Sequence, residues 1–463
     1  MKRLPLFLVL ICLYATKLIG QDIYSQQQTL ADMLSRNEFF KARKQRQLCR
    51  DTLDKSLELC YAFKMHGYLN RPDSSAIYLE RLLKEYPNFF GNRESRMYFA
   101  NRLLDLYLDI GNYRGQLRAY DTVEEIVKSY LNGEDSIGAR QHLKVISRLR
   151  QIPKARIDIP QMAVTNLSKK KEVSITFTEE PMLTSIIECN GLSMKTWIDT
   201  GCGYAVFMTK SIADSCKVED LPLSGDSIYV NGTLTCAHRA LVDSLRIGSI
   251  LFTHVPVVVV YNDFAALAPK NTLSDEKQQR YDSIMKSTGL VIGLPLLRRL
   301  GSIQFNWNKR RMKLKLPADV AVNKEDAPTM FIGDMNLLYT QLFLNALEYT
   351  GIVDTGAPNT CIDITKQYYE NHKENLPVDE TVKEKSTNLG GFTRISVVNY
   401  RPILHPTVLF DSKEVKLKEE DVIAWQNTPY GGTENNGLFG YQFLKRLGKK
   451  VKLDFVNMQI MAE

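Results

Sequence analysis

The chain has 463 residues, 44% of them hydrophobic and 24% charged, with a formal net charge of +8. That length suggests about three domains, and that balance excludes a disordered, collagen-like or disulfide-stapled chain. The positive excess is modest. The basic runs Lys169-Lys170-Lys171 and Lys309-Arg310-Arg311 are short and lack interleaved aromatics, so they read as solvated surface and no nucleic-acid partner is expected.

Residues 1–20 read as a signal peptide. Lys2 and Arg3 precede the apolar run Leu4 to Leu13, too short for a comfortable membrane span. Cleavage is expected near Gly20. Ile11 precedes Cys12 where a lipoprotein signal would place a small residue, so lipid anchoring is not expected. No later stretch reaches the ~18 apolar residues that cross a bilayer. The mature protein is therefore expected to be exported, periplasmic or secreted, without an integral span. Its cysteines, Cys49, Cys60, Cys189, Cys202, Cys216, Cys236 and Cys361, are odd in number and show no CxxC pair. They do not read as a disulfide framework, and one or two incidental bridges stay open. The histidines are scattered, with no HExxH and no Cys/His cluster, so neither a metal nor a cofactor is implied.

Residues 21–152 read as successive helices. Leu30, Met33 and Leu34 begin an apolar stripe at helical spacing, and Leu48, Leu53, Leu57 and Tyr61 continue it. Ala76 to Leu83 stops at Pro87, Leu103 to Ile110 stops at Gly111-Asn112, and Tyr120 to Tyr130 stops at Asn132-Gly133. Stacked hairpins of this kind resemble tetratricopeptide-type repeats; a plain α-helical domain is the other reading. Nothing here looks catalytic. The expected work of this part is to present a surface to a protein partner or to the rest of the chain.

The pattern changes at Pro153, with Ala155 to Pro160 extended in character, and from Lys171 onward it is β-rich. Val173 to Phe177 alternates with period two. Pro181 to Glu188 and Met194 to Ile198 flank Asn190-Gly191, and Ser227 to Val230 and Thr233 to Cys236 flank Asn231-Gly232; both are hairpin signals. Ala240 to Val242, Leu245 to Ile247 and Val255 to Tyr261 read as further strands. Residues 262–288 read as a loop or short helix, and Pro317 to Pro328 as a linker. The domains are therefore expected at 21–152, 153–322 and 323–463.

The two β units repeat one another. Trp197-Ile198-Asp199-Thr200-Gly201 in the first corresponds to Ile352-Val353-Asp354-Thr355-Gly356 in the second. Asn190 and Asn345 each stand nine residues before the aspartate. Gly293 to Gly301 and Gly440 to Gly448 both fit G-x-x-[LF]-L-[RK]-R-L-G, 94 and 86 residues after the respective aspartates. The apolar pairs Val291-Ile292 and Leu438-Phe439 should form buried strands, and the following glycines allow close backbone approach. Each Leu-rich segment should be a short helix, with Arg298-Arg299 or Lys445-Arg446 suiting its C-terminal dipole.

A carboxylate at the end of an apolar strand is costly unless hydrogen-bonded. Two such turns brought together by a pseudo-twofold axis would hold one proton between them, because two adjacent charges cannot both form cheaply. One carboxyl could then activate water while the other protonates a carbonyl oxygen.

These paired Asp-Thr-Gly turns, each followed by an apolar-apolar-Gly block, resemble the aspartic protease superfamily over about residues 170 to 463. The lobes are similar to retropepsin-type lobes, and the chain is similar to the retropepsin-like proteases of Bacteroidota. The resemblance implies a bilobal all-β fold after the helical domain, a polypeptide substrate and a monomer needing no cofactor. It implies Asp199 and Asp354 as the catalytic dyad, Thr200 and Thr355 as braces, and Gly201 and Gly356 as turn residues. Flaps are expected near Tyr229 and Gly232 in the first lobe and Gly390 and Gly391 in the second. The sequence departs from the family pattern at Cys202, where Ala or Ser is usual, and at Pro358.

Overall fold

The N-terminal third is helical because its apolar residues recur at helical spacing and capping residues interrupt them. A computed structural model describes residues 24–49, 53–131, 136–179, 182–230, 233–261, 288–323, 327–333, 336–357, 360–378, 380, 385–389, 396–426 and 436–463. Helix α1 occupies 24–35. It is followed by α2 (Phe39–Leu48), α3 (Lys55–Tyr68), α4 (Pro72–Glu85), α5 (Arg93–Asp109), α6 (Tyr113–Lys128), α7 (Ser136–Leu149) and α8 (Gln151–Ala155). Asp54 caps α3 by accepting from the Ser56 and Leu57 amides; Asn92 and Asn112 cap α5 and α6 in the same way. Helices α3 to α6 each pack on the next, around a core that includes Leu79, Leu82, Leu103 and Val123. Pro153, where helical character was expected to end, lies inside α8 and is buried. A proline in the first turn of a helix removes no intrahelical hydrogen bond, so the helical part runs on to Ala155.

The first β-hairpin pairs Thr184–Cys189 with Leu192–Asp199, with Cys189 opposite Leu192. Its turn residues Asn190 and Gly191 take φ of 45° and 85°, the left-handed conformations that a two-residue turn requires and that these residues tolerate. The second hairpin sets Val230 opposite Thr233, but its strands, Glu219–Val230 and Thr233–Ile247, are longer than their sequence signal. Ala240 to Val242 and Leu245 to Ile247 are one strand, not two, because the neighbouring strand Ile250–Val260 pairs with both segments in one register. The chain reverses only at Gly248, φ 61°, and returns as Ile250–Val260.

The two β units share one topology. In the first, Leu192–Asp199 lies parallel to Leu290–Gly293, which pairs antiparallel with Val206–Thr209, itself parallel to Ile250–Val260. In the second, Leu347–Asp354, Gly437–Gly440, Ile362–Ile364 and Val422–Trp425 repeat these relations. The register agrees to the residue: Asp199 stands opposite Gly293 and Asp354 opposite Gly440. Each glycine-leucine block begins a short helix, Leu294–Leu297 or Tyr441–Leu447, and a strand follows.

Those following strands, Ser302–Asn306 and Lys450–Asp454, pair with each other. With Val173–Thr176, Arg311–Lys315 and Gln459–Ala462 they form a five-stranded sheet drawn from both lobes. The helical part is docked on this body. Phe331 stacks on Phe39 at 4.9 Å and meets Phe40 and Tyr68 edge-on at 5.6 and 5.5 Å. Asn70 donates through Nδ2 to the carbonyls of Arg298 and Phe455 at 3.0 and 3.3 Å. The buried Arg156 donates to the Pro222 carbonyl at 3.0 and 3.1 Å.

Phe331 is 1% exposed, and its ring joins two parts of the chain that have separate cores. Phe331→Ala is expected to cost about 3–5 kcal/mol. Denaturant unfolding followed by circular dichroism should show helical and β signals still lost in one transition, at a lower midpoint.

Candidate active site

Each Asp-Thr-Gly turn ends a buried strand, and the two turns grip one another. The Thr200 amide donates to Thr355 Oγ1 and the Thr355 amide to Thr200 Oγ1, both at 3.0 Å. Each hydroxyl then donates onward across the lobes, Thr200 to the Val353 carbonyl at 2.7 Å and Thr355 to the Ile198 carbonyl at 2.8 Å. Both threonines are buried, at 1% and 0% exposure. Every bond in this set crosses from one lobe to the other.

The grip brings the carboxyl groups together. A Cβ placed on Gly201 would fall 2.5 Å from Asp354 Cγ, and one on Gly356 would fall 2.5 Å from Asp199 Cγ. No side chain larger than hydrogen fits at either glycine, so each turn presents its bare backbone to the opposite carboxyl. The Gly201 amide donates to Asp199 Oδ1 at 2.8 Å and the Gly356 amide to Asp354 Oδ1 at 2.7 Å. The two buried carboxyl groups interact directly with each other, and two adjacent charges cannot both form cheaply there. Burial and then the Asp354 charge hold the Asp199 carboxyl well above the ordinary carboxylate range. Burial also raises Asp354, but its contact with Asp199 and two backbone amides oppose it. Burial of two adjacent carboxyls therefore favours one proton shared by the pair.

The glycines of the two repeat blocks fit the turns from below. A Cβ on Gly293 would lie 2.1 Å from the Tyr204 carbonyl oxygen, and one on Gly440 would lie 2.2 Å from that of Thr360. Cys202 is fully buried. Its thiol points to the Tyr204 carbonyl at 3.7 Å, among Trp197, Phe207 and Val291. Tyr229 lies on the strand Glu219–Val230, opposite Leu234. Gly232, Pro358, Gly390 and Gly391 lie outside the described residues.

The basic pairs do not serve simply as helix C-terminal charge. Lys445 reaches Glu179 at 2.5 Å and Arg446 reaches Asp421 at 2.9 Å. Arg298 is buried beneath the helical part, and desolvation pushes its guanidinium down to about 10. Sequence reasoning also missed Asp363, on the strand Ile362–Ile364, which is 2% exposed and accepts from Thr360 Oγ1 at 3.3 Å. The register places it where the first lobe has Phe207. Only comparison of the two copies at this strand could have marked it.

Residues 186–281 match the family model described as aspartyl protease. No curated protein matches the chain. Among solved structures, a retropepsin-like aspartic protease from Rickettsia conorii is similar at 19% identity with a TM-score of 0.21, over 34% of this chain and 93% of that chain. The matched span contains Asp199 and the strands that surround it in the first lobe.

Thr200→Val keeps the shape of the side chain and removes its hydroxyl, leaving the Thr355 amide and the Val353 carbonyl without their partner. The expected loss is about 2–4 kcal/mol, measured by chemical denaturation. Asp363 provides a separate test. Burial pushes its carboxyl up to about 7 from the ordinary 3.8, so the folded chain binds this proton more tightly than the unfolded chain. The stability this gives is full below the ordinary value and is lost as pH rises toward about 7. Asp363→Asn should flatten the stability profile across that window; an unchanged slope would exclude Asp363 as its source.

Proposed function

We propose that the chain is an aspartic endopeptidase in which Asp199 and Asp354 together activate a water molecule. The observation that carries this reading is the reciprocal threonine grip, which sets each turn glycine against the opposite aspartate carboxyl. In this reading Asp354 accepts a proton from the attacking water while Asp199 donates its proton to the carbonyl oxygen of the scissile bond. The tetrahedral adduct then collapses as Asp354 passes its proton to the leaving amine and Asp199 recovers one from the adduct hydroxyl. The dyad ends with one proton, as it began. Thr200 and Thr355 position the pair, and the Gly201 and Gly356 amides support the charged state.

The match of residues 186–281 to an aspartyl protease family supports this chemistry. The buried Cys202 thiol points to the Tyr204 carbonyl, so in this reading its departure from Ala or Ser leaves the proposed chemistry intact. We place substrate-covering flaps at Tyr229 and Gly232 and at Gly390 and Gly391. We further infer an exported monomer with residues 1–20 removed, its helical part acting as a tetratricopeptide-like surface for a protein partner. No helix among the described residues is long and apolar enough to cross a membrane.

Purified residues 21–463 should cleave an unfolded protein at acidic to near-neutral pH, with activity falling as pH rises through the titration of Asp199. A statine-type inhibitor should block the reaction. Asp199→Asn and Asp354→Asn should each reduce turnover by about 10²–10⁴-fold. Undiminished cleavage by both variants would sink the proposal, and peptide binding without turnover by the unmodified protein would reduce it to a binding module.

A further inference from the structure

Two thiols in the first lobe are held against each other. Cys189 ends the strand Thr184–Cys189, and Cys216 caps the helix Lys210–Ser215. They are 0% and 2% exposed and share one apolar core. The two thiols lie close enough to shift each other's ionisation, and both are reduced in the structure.

The backbone around them is fixed by Asn190, the residue after Cys189. Its Nδ2 donates to the Cys216 carbonyl at 3.0 Å, its Oδ1 accepts from the Ser244 amide at 2.9 Å, and its own amide donates to the Ser244 carbonyl at 2.8 Å. The second lobe builds the same clamp. Asn345 Nδ2 donates to the Asn375 carbonyl at 2.8 Å, Oδ1 accepts from the Thr407 amide at 2.8 Å, and the Asn345 amide donates to the Thr407 carbonyl at 2.8 Å. There, fully buried Leu344 stands in the place of Cys189 and Asn375 in the place of Cys216. The clamp therefore works without sulfur. The first lobe alone sets two oxidisable groups on its ends.

We propose that Cys189 and Cys216 form a disulfide when the folded protein meets a disulfide oxidant, either a small molecule or an exchanging protein. Their contact lowers the Cys216 thiol and raises that of Cys189, so Cys216 ionises first. Local opening of its six-residue helix gives the oxidant access. The Cys216 thiolate attacks one sulfur of the oxidant and expels a thiolate, leaving a mixed disulfide. That thiolate takes up the Cys189 proton, and Cys189 then attacks the Cys216 sulfur and expels the second half of the oxidant. Two protein thiols are oxidised to one disulfide, and one oxidant disulfide is reduced to two thiols. The closed ring contains the whole of the Asp199-Thr200-Gly201 turn and ties the hairpin that carries it to the neighbouring helix. This inference does not rest on proteolytic activity.

The test uses the full mature chain incubated with oxidised glutathione, then unfolded, alkylated and digested with trypsin. The expected product joins the peptide ending at Lys195 to the peptide ending at Lys217, with two fewer alkylatable thiols. The oxidised protein should melt several degrees higher, the gain should vanish with reductant, and Cys216→Ser should abolish both the link and the redox dependence of Tm. The proposal is overturned if both thiols stay alkylatable after oxidation, including in mild denaturant that opens the helix, or if Cys189 appears only in links to another cysteine.

Discussion

The constraint on which the site depends is the exchange of hydrogen bonds between Thr200 and Thr355. Neither lobe can satisfy its own turn. The Thr355 amide finds its acceptor on Thr200, and the Val353 carbonyl finds its donor there; the mirrored contacts run the other way. A buried backbone group left without a partner costs about 1–3 kcal/mol, so separating the turns would expose a cost on both sides at once. The same contact forces Gly201 and Gly356 under the opposite carboxyls. The meeting of the two carboxyls and the association of the lobes are thus consequences of one geometric fact.

Around that contact the fold supplies rigidity in layers. Parallel strands bring Gly293 and Gly440 level with the two aspartates. Their missing side chains leave room for the carbonyls of Tyr204 and Thr360 to close in. Below lies the sheet shared by both lobes, and Phe331 and Asn70 join the helical part to that body. Lys445 adds a further tie by reaching Glu179 in the first lobe. The helical part is held by aromatic stacking and by donors to backbone carbonyls, contacts that suit a permanent seat.

Much of this was legible in the residues. Asp199 and Asp354 announce themselves because the same turn is written twice at matched distances from an asparagine and a glycine-leucine block. The first hairpin turn was readable because Asn190-Gly191 has the backbone freedom that a two-residue turn demands. What stayed hidden depends on long-range contact. Arg298 and Lys445 occupy equivalent places in the repeat, yet one is buried under helices and the other pairs with Glu179; no local pattern distinguishes them. Asp363 looks like an ordinary strand residue until its register shows that it replaces a buried phenylalanine. Strand lengths were underestimated for Thr233–Ile247 because continuity across Asp243-Ser244 is decided by pairing with Ile250–Val260 and not by the dipeptide itself.

The shared sheet also sets an order of events during synthesis. Ser302–Asn306 is made well over a hundred residues before the strand that covers its open edge, Lys450–Asp454. The strand beneath Asp354, Gly437–Gly440, is made only shortly before. The first lobe therefore emerges with an unpaired edge and a solitary aspartate. While the ribosome is still adding the second lobe, the two halves of the site cannot meet. A chain built this way keeps its two aspartates apart until both lobes have been made.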